Sequence, residues 1–225
     1  MIKFDDVSKQ FPLGNIALKN VSFEINDNEF VFLVGPSGAG KTTIVKLILR
    51  QFTPTSGRVT INEHDVSQKT FKHVEELRRD IGVVFQDFKV LPDKNTFENI
   101  ALSLKVLGLR QRQIIAEIKE ALRLVGLSGK DNVFPAQLSA GELQRVAIAR
   151  AIVGSRDIIL ADEPTGNLDP KTAWEIMKIF KKLEGEKTII FATHNTDIVN
   201  SLKKRVLVLN EGGLVKDVKK GGYEV

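Results

Sequence analysis

An α/β fold built on a mainly parallel sheet is the architecture this sequence predicts, and three observations predict it. Short, continuous apolar runs recur at 29–35 (EFVFLVG), 81–86 (IGVVFQ), 157–162 (DIILAD) and 187–193 (KTIIFAT), and such runs fit strands covered on both faces. Stretches with the apolar spacing of amphipathic helices separate them. The alternation of the two is that of βαβ units.

Taken in chain order, 3–7 and 21–25 alternate like antiparallel strands, and 58–62 adds another before the turn-like Glu63-His64-Asp65. The helical pattern over 41–51 carries Ile44, Val45, Leu47, Ile48 and Leu49. From about Asp87 to Ser155 the chain reads as mainly helical, with segments near 96–107, 111–125 and 140–153. This is a helical lobe inserted into the α/β core. The pattern returns over 170–183, with Asp169 as N-cap and Pro170 at the first helical position, where the N–H that proline lacks has no partner to lose. The tail from Lys203 holds Lys203, Lys204, Arg205, Lys216, Lys219 and Lys220 against Glu211, Asp217 and Glu224. It reads as a solvated basic surface, with proximity to an acidic membrane as a second reading.

Composition bounds the function. A length of 225 residues suits one compact domain with an inserted lobe. Hydrophobic residues at 42% and charged residues at 27% exclude a disordered, fibrous or membrane-embedded chain. No apolar run approaches the roughly 18 residues that span a bilayer, and the acids in Met1–Asp6 argue against a signal peptide. Without cysteine there is no disulfide framework, thiolate metal site or cysteine nucleophile, which suits a reducing compartment. The net charge of +5 is read first as surface solvation and second as attraction to a nucleotide, nucleic acid or lipid leaflet.

The sharpest local signal is Gly35-Pro36-Ser37-Gly38-Ala39-Gly40-Lys41-Thr42, which follows an apolar strand and opens a helix. A triphosphate is a dense anion. Glycines let backbone N–H groups approach it, and the helix points its positive end at the phosphates. Lys41 adds a point charge at the β/γ-phosphates, and the Thr42 hydroxyl is a ligand for Mg²⁺. A second apolar strand ends in Asp162-Glu163. Asp162 at its carboxyl edge suits Mg²⁺, through water, and Glu163 is then placed to orient or deprotonate an attacking water. His194 follows the strand 187–193 and precedes Asn195, a helix N-cap, within reach of the γ-phosphate. His64 and His73 fit no metal-ligand spacing and read as surface residues. Ser139 and Glu142 stand in the S-x-x-E register of a capping box for the helix from Ala140. The box leaves Gly141 unexplained, since glycine in a helix costs about 1 kcal/mol relative to alanine. An anion approaching the backbone explains it.

In this order the motifs resemble the ATP-binding cassette (ABC) ATPases over nearly the whole chain. The resemblance implies a P-loop NTPase, RecA-like core with an N-terminal antiparallel β subdomain over 1–86 and 156–225. It also implies a helical subdomain with the signature motif over 87–155. Gly35, Pro36, Ser37, Gly38, Ala39, Gly40, Lys41, Thr42 and Thr43 are then the Walker A contacts to ATP. Thr42, Gln86 and Asp162 are the groups for Mg²⁺, and Glu163 is the catalytic carboxylate, acting with Lys41, Gln86 and His194. Ser139, Gly141 and Glu142 belong to the signature, and Asn167-Leu168-Asp169 is the D-loop. Phe11 matches the aromatic that stacks on adenine, usually Tyr; phenylalanine keeps the π-face. Two positions depart from the family: Ala140 and Glu142 stand where the signature has glycine and glutamine. The Ala140 methyl adds bulk toward a partner's nucleotide.

Within the class, 81–100 (IGVVFQDFKVLPDKNTFENI) and 161–169 (ADEPTGNLD) are similar to the cell-division branch. That similarity implies an ATPase subunit that closes as an ATP-dependent head-to-tail homodimer. It implies coupling of closure to an integral membrane partner, in cell division and regulation of peptidoglycan hydrolysis, from the cytoplasmic face of the plasma membrane. The ATPases of lipoprotein-release and macrolide-export transporters share ADEPTGNLD and are the alternative. A nucleic-acid or ribosome-acting ABC protein is opposed by the single cassette and the lack of a heptad region or linker, so no nucleic acid is expected. A small-molecule kinase is opposed by Asp162-Glu163 with the signature helix upstream.

Overall fold

The computed structural model describes residues 1–221; Glu224, counted among the tail charges, lies outside them. The chain opens with two long strands, β1 (Ile2–Gln10) and β2 (Ile16–Ile25), followed by β3 (Phe30–Val34) and α1 (Lys41–Ile48). Next come β4 (Ser56–Ile61), β5 (His64–Asp65), α2 (Val74–Arg79) and β6 (Ile81–Phe85). The helical stretch holds α3 (Thr96–Val106), α4 (Gln111–Val125), a 3₁₀ turn (Pro135–Gln137) and α5 (Ala140–Ile152). The chain then runs through β7 (Ile158–Asp162), α6 (Pro170–Lys182), β8 (Thr188–Thr193), α7 (Thr196–Leu202), β9 (Arg205–Asn210) and β10 (Gly213–Val218).

Two sheets form. One has the order β2-β1-β4-β5, and its pairs are antiparallel. The other has the order β10-β9-β3-β8-β7-β6 and is parallel except for the β9–β10 pair. The continuous apolar runs are explained by burial of this second sheet on both faces. Phe30, Phe32, Val34, Ile189 and Phe191 point into a core shared with α3 to α7. Val31, Leu33, Ile190 and Ala192 point into the opposite core, with α1 and the antiparallel sheet. Four phenylalanines, Phe30, Phe32, Phe180 and Phe191, meet edge-on, tilted or stacked at centroid distances of 5.1–6.3 Å, within the range over which aromatic pairs attract. Among the described residues the inserted helices share one apolar cluster with the sheet. Ile100, Leu104, Ile114, Ile118 and Leu122 sit in the same cluster as the sheet's phenylalanines.

The structure differs from the sequence reading in the tail. The segment read as solvated surface contains β9 and β10, and part of its charge is tied into the fold. Arg205 lies against Glu29 at 3.0 Å and Asp217 at 2.7 Å and donates to the Glu24 carbonyl at 2.7 Å. Lys204 pairs with Glu184. Lys203, Lys216, Lys219 and Lys220 do remain exposed. Glu63-His64-Asp65 differs less: Asn62 and Glu63 turn through positive φ, and His64 and Asp65 then pair back on β4.

The approach of α5 to β6 is set by one glycine. A Cβ on Gly82 would stand 2.0 Å from the Ala151 carbonyl oxygen, a backbone atom that moves only with its helix. We expect Gly82→Ala to lower unfolding stability by about 1–3 kcal/mol through overpacking. The urea midpoint measures it, and an unchanged midpoint contradicts the close contact.

Candidate active site

Four neighbouring parallel strands end level with one another. Phe85 pairs with Asp162, Asp162 with Ala192, and Val34 with Thr193. The residues that follow these ends are Gln86, Glu163, His194 and Gly35. Ligands of open α/β sheets bind at such carboxyl edges. The cleft there has a volume of 620 Å³, and Phe11, Pro36, Ser37, Gly38, Ala39, Gly40, Lys41, Thr42, Thr43, Gln86, Glu163 and His194 all line it. Gly35 lies beneath, and its carbonyl accepts from Lys41 Nζ at 2.7 Å.

The loop 35–43 leads into a helix start that no side chain caps. Gly40, the N-cap of α1, has φ 108° and offers no side-chain cap, and the first turn of α1 carries no acid. A Cβ on Gly40 would meet the Ala17 carbonyl oxygen at 2.8 Å, so both conformation and crowding demand glycine. The first-turn N–H groups therefore lack the side-chain acceptor that Asn95, Ser139, Asp169 and Asn195 supply to α3, α5, α6 and α7. The Lys41 ammonium is buried, 7% exposed, between the carbonyls of Gly35 and Pro36 and 3.5 Å from Glu163 Oε1.

The acids are held close by. Thr42 Oγ1 donates to Asp162 Oδ1 at 3.2 Å, so two hard oxygen ligands already share one point. Burial pushes the Asp162 carboxyl above the usual carboxylate range, and the neighbouring Glu163 adds to this; the Thr42 bond, Lys41 and Lys46 oppose it. A half-buried carboxylate with a hydroxyl beside it fits Mg²⁺. Glu163 sits at φ 50°, a conformation costly for a non-glycine residue and typical of functional positions. Its N–H donates to the Ala192 carbonyl at 2.9 Å, and His194 Nδ1 stands 3.0 Å from Oε1. Its other oxygen, Oε2, is buried and has no protein partner among the described residues. Gln86 Nε2 donates to Asn167 Oδ1 at 3.0 Å, and Asn167 returns a bond to the Gln86 carbonyl. Phe11 meets Phe52 edge-on at 5.2 Å, with the Lys9 ammonium 5.3 Å from the Phe11 ring centre.

Ser139, Gly141 and Glu142 do not line this cleft. They form the start of α5, where Ser139 and Glu142 close the capping box in both directions. Gly141 has a reason inside the chain that spacing does not reveal: a Cβ there would stand 2.5 Å from the Thr172 methyl at the start of α6. The Glu142 carboxylate accepts from Ser139 and pairs with Lys130. His64 and His73 are exposed, as read, and His73 lies 3.1 Å from Glu76.

Several residues escape sequence reasoning. Asn15, Ile16 and Ala17 line the cleft beside Phe11, yet a β-turn and strand start carry no phosphate signature. Arg150 of α5 donates to the Phe88 and Lys89 carbonyls at 2.9 and 2.7 Å. It braces two successive non-glycine residues at φ 60° and 52°, just beyond Gln86. A charged residue late in an apolar helix was the available clue.

A family model described as ABC transporter matches residues 18–166. The chain is 48% identical over 224 residues to the cell division ATP-binding protein FtsE of Bacillus subtilis (strain 168), covering 99% of this chain and 98% of that protein. It is 46% identical over 225 residues to FtsE of Mycobacterium tuberculosis (strain ATCC 25618 / H37Rv), with 99% and 98% covered. Among solved structures it resembles the dimeric cassette MJ0796 in a post-hydrolysis state bound to ADP and Pi. That match has a TM-score of 0.88 and 36% identity, covering 99% of this chain and 100% of that one.

One consequence is independent of nucleotide. Lys130, followed by the Ser139 N–H and hydroxyl, holds the Glu142 carboxyl below its usual range, at about 2. A depressed folded pKa contributes stability that is complete above the unfolded pKa and is lost as pH falls through the folded one. Glu142→Gln is therefore expected to be less stable than the parent at pH 7 by roughly 1 kcal/mol or less. The gap closes between about pH 4.5 and 2. Urea unfolding at stepped pH reads it, and a gap constant across that window contradicts the assignment.

Proposed function

The chain belongs to the ABC transporter family, and we propose that its cleft holds magnesium-ATP on the loop 35–43 and splits it with water aimed by Glu163. It is an ABC-type ATPase and the ATP-binding subunit of a cell-division system, as its relatives at 40–48% identity are named. The lipoprotein-release or macrolide-export reading is not favoured. The observation that carries the mechanism is the meeting of Lys41, His194 and Glu163 on one carboxylate oxygen, at 3.5 and 3.0 Å, at the edge of the phosphate loop.

The amides of the loop and the first turn of α1 bind the phosphates, with Lys41 leaving its carbonyl partners for the β/γ oxygens. Phe11 stacks on adenine. Thr42 and Asp162, with Gln86 nearby, hold Mg²⁺, which when bound neutralises charge on the phosphate oxygens. Glu163 accepts a hydrogen bond from the attacking water and takes its proton as the new P–O bond forms and the bond to the bridging oxygen breaks. ADP and phosphate leave. His194 and Lys41 hold the Glu163 carboxylate in place and face the charge that develops on the γ-phosphoryl group.

Ser139 and Gly141 stand outside their own cleft, and Glu142 acts there through its cap on Ser139. In this reading they serve the cleft of a second copy in a head-to-tail homodimer, so ATP becomes part of the interface and dimerisation depends on its concentration. The dimeric cassettes at 36–37% identity support this. Among the described residues no helix is long and apolar enough to cross a membrane. The membrane link is therefore an integral membrane partner resembling FtsX, with this chain peripheral on the cytoplasmic face and the output regulating peptidoglycan hydrolysis. The segment 87–155 is the subdomain that passes closure on. Arg150 ties α5 to the loop beyond Gln86 and so joins the signature helix to that relay.

Lys41→Ala is expected to weaken ATP binding by at least about 100-fold, read by fluorescent-nucleotide titration. Glu163→Gln is expected to retain ATP, slow phosphate release by at least about 100-fold and accumulate an ATP-bound dimer. Turnover at the parent rate in the glutamine variant removes Glu163 from the chemistry. Co-purification with a membrane protein resembling FtsX checks the partner.

A further inference from the structure

One ion pair beside the start of α5 has no part in the scheme above. Lys130, in the connection after α4, pairs with Glu142, the third residue of α5. The same carboxylate accepts the N–H and the hydroxyl of Ser139, each at 2.9 Å. A full negative charge thus lies one hydrogen bond from the hydroxyl that, in the proposed dimer, meets a phosphate of the second copy. Charges a few ångströms apart near a protein surface interact appreciably, so a bare carboxylate opposes that approach. An ammonium in contact with it cancels most of the field. Both side chains are partly exposed, 41% for Lys130 and 27% for Glu142. A pair of this kind contributes little to folding, so its larger consequence is electrostatic.

We propose that Lys130 is a positioning residue of the composite ATP site: by neutralising Glu142 it makes the Ser139–Gly141 turn acceptable to the phosphate of a second copy's ATP. The proposal rests on the head-to-tail dimer of the preceding section. It explains how this chain works with glutamate at Glu142, where an uncharged residue would need no companion. Glutamine there keeps the capping box and leaves the lysine charge uncompensated, which favours an anion.

The test breaks the same pair from either side. In the Glu163→Gln background, ATP-driven dimerisation is measured by sedimentation velocity at low and high salt. Lys130→Met is expected to weaken the dimer about threefold to tenfold and Glu142→Gln to strengthen it by a similar factor, both effects shrinking in high salt. The double variant returns near the background value, and Lys130→Arg keeps it. ATP affinity of the isolated Lys130→Met chain stays at the parent value, which shows that the chain is folded and its own cleft intact. A pair that only braces α5 predicts weaker dimers in both single variants, so changes in the same direction, or none, overturn the inference. If Glu163→Gln fails to dimerise with ATP at all, the dimer reading falls, and this inference with it.

Discussion

The hydrogen-bonded register of the parallel strands β6, β7, β8 and β3 is the constraint on which the site depends. Each strand delivers its candidate site residue one step past its last residue, so the four are level only while the ladders are in step. A slip of two residues would displace Glu163 by about 7 Å, beyond the reach of Lys41 and His194; a slip of one would turn every side chain to the wrong face. Burial of both faces prevents either. Phe32 and Phe191 on one side and Leu33 and Ile190 on the other each fit one core only. The chemistry of the edge is thus held in place by hydrocarbon packing several residues away.

Against that rigid frame the site holds locally costly features. Lys41 keeps a buried ammonium, Asp162 a half-buried carboxyl, and Glu163, Phe88 and Lys89 left-handed backbone. Such features persist where the surroundings over-determine them. Each has a visible restraint: the loop carbonyls for Lys41, Thr42 for Asp162, the Ala192 carbonyl for Glu163 and the Arg150 guanidinium for Phe88 and Lys89.

How far the sequence foretold this depends on whether the cause was local. The buried strands, the Asp169 and Ser139 caps and the phosphate loop were legible because neighbouring residues dictate them. The strands β9 and β10 were obscured by their charges: Arg205 looks like a surface residue until the β9–β3 pairing brings Glu29 to it. Gly141 carries a second constraint that spacing hides, since Thr172, thirty-one positions on, leaves no room for a Cβ there. Asn15, Ile16 and Ala17 enter the cleft only because Gly40 lets the loop lie against β2. What the inserted helices pack against was not legible, because apolar periodicity reveals that a helix buries a face but not against what.

That shared core limits what can be done with the helical segment. Cut out as a fragment, it would keep α3 and α4 on α5 but strip α5 of β6 and α6, against which its other side packs. Transplanted between relatives, it would have to fit the residues its host carries at the positions of Phe32, Phe180 and Phe191, since the interior it completes belongs to that host.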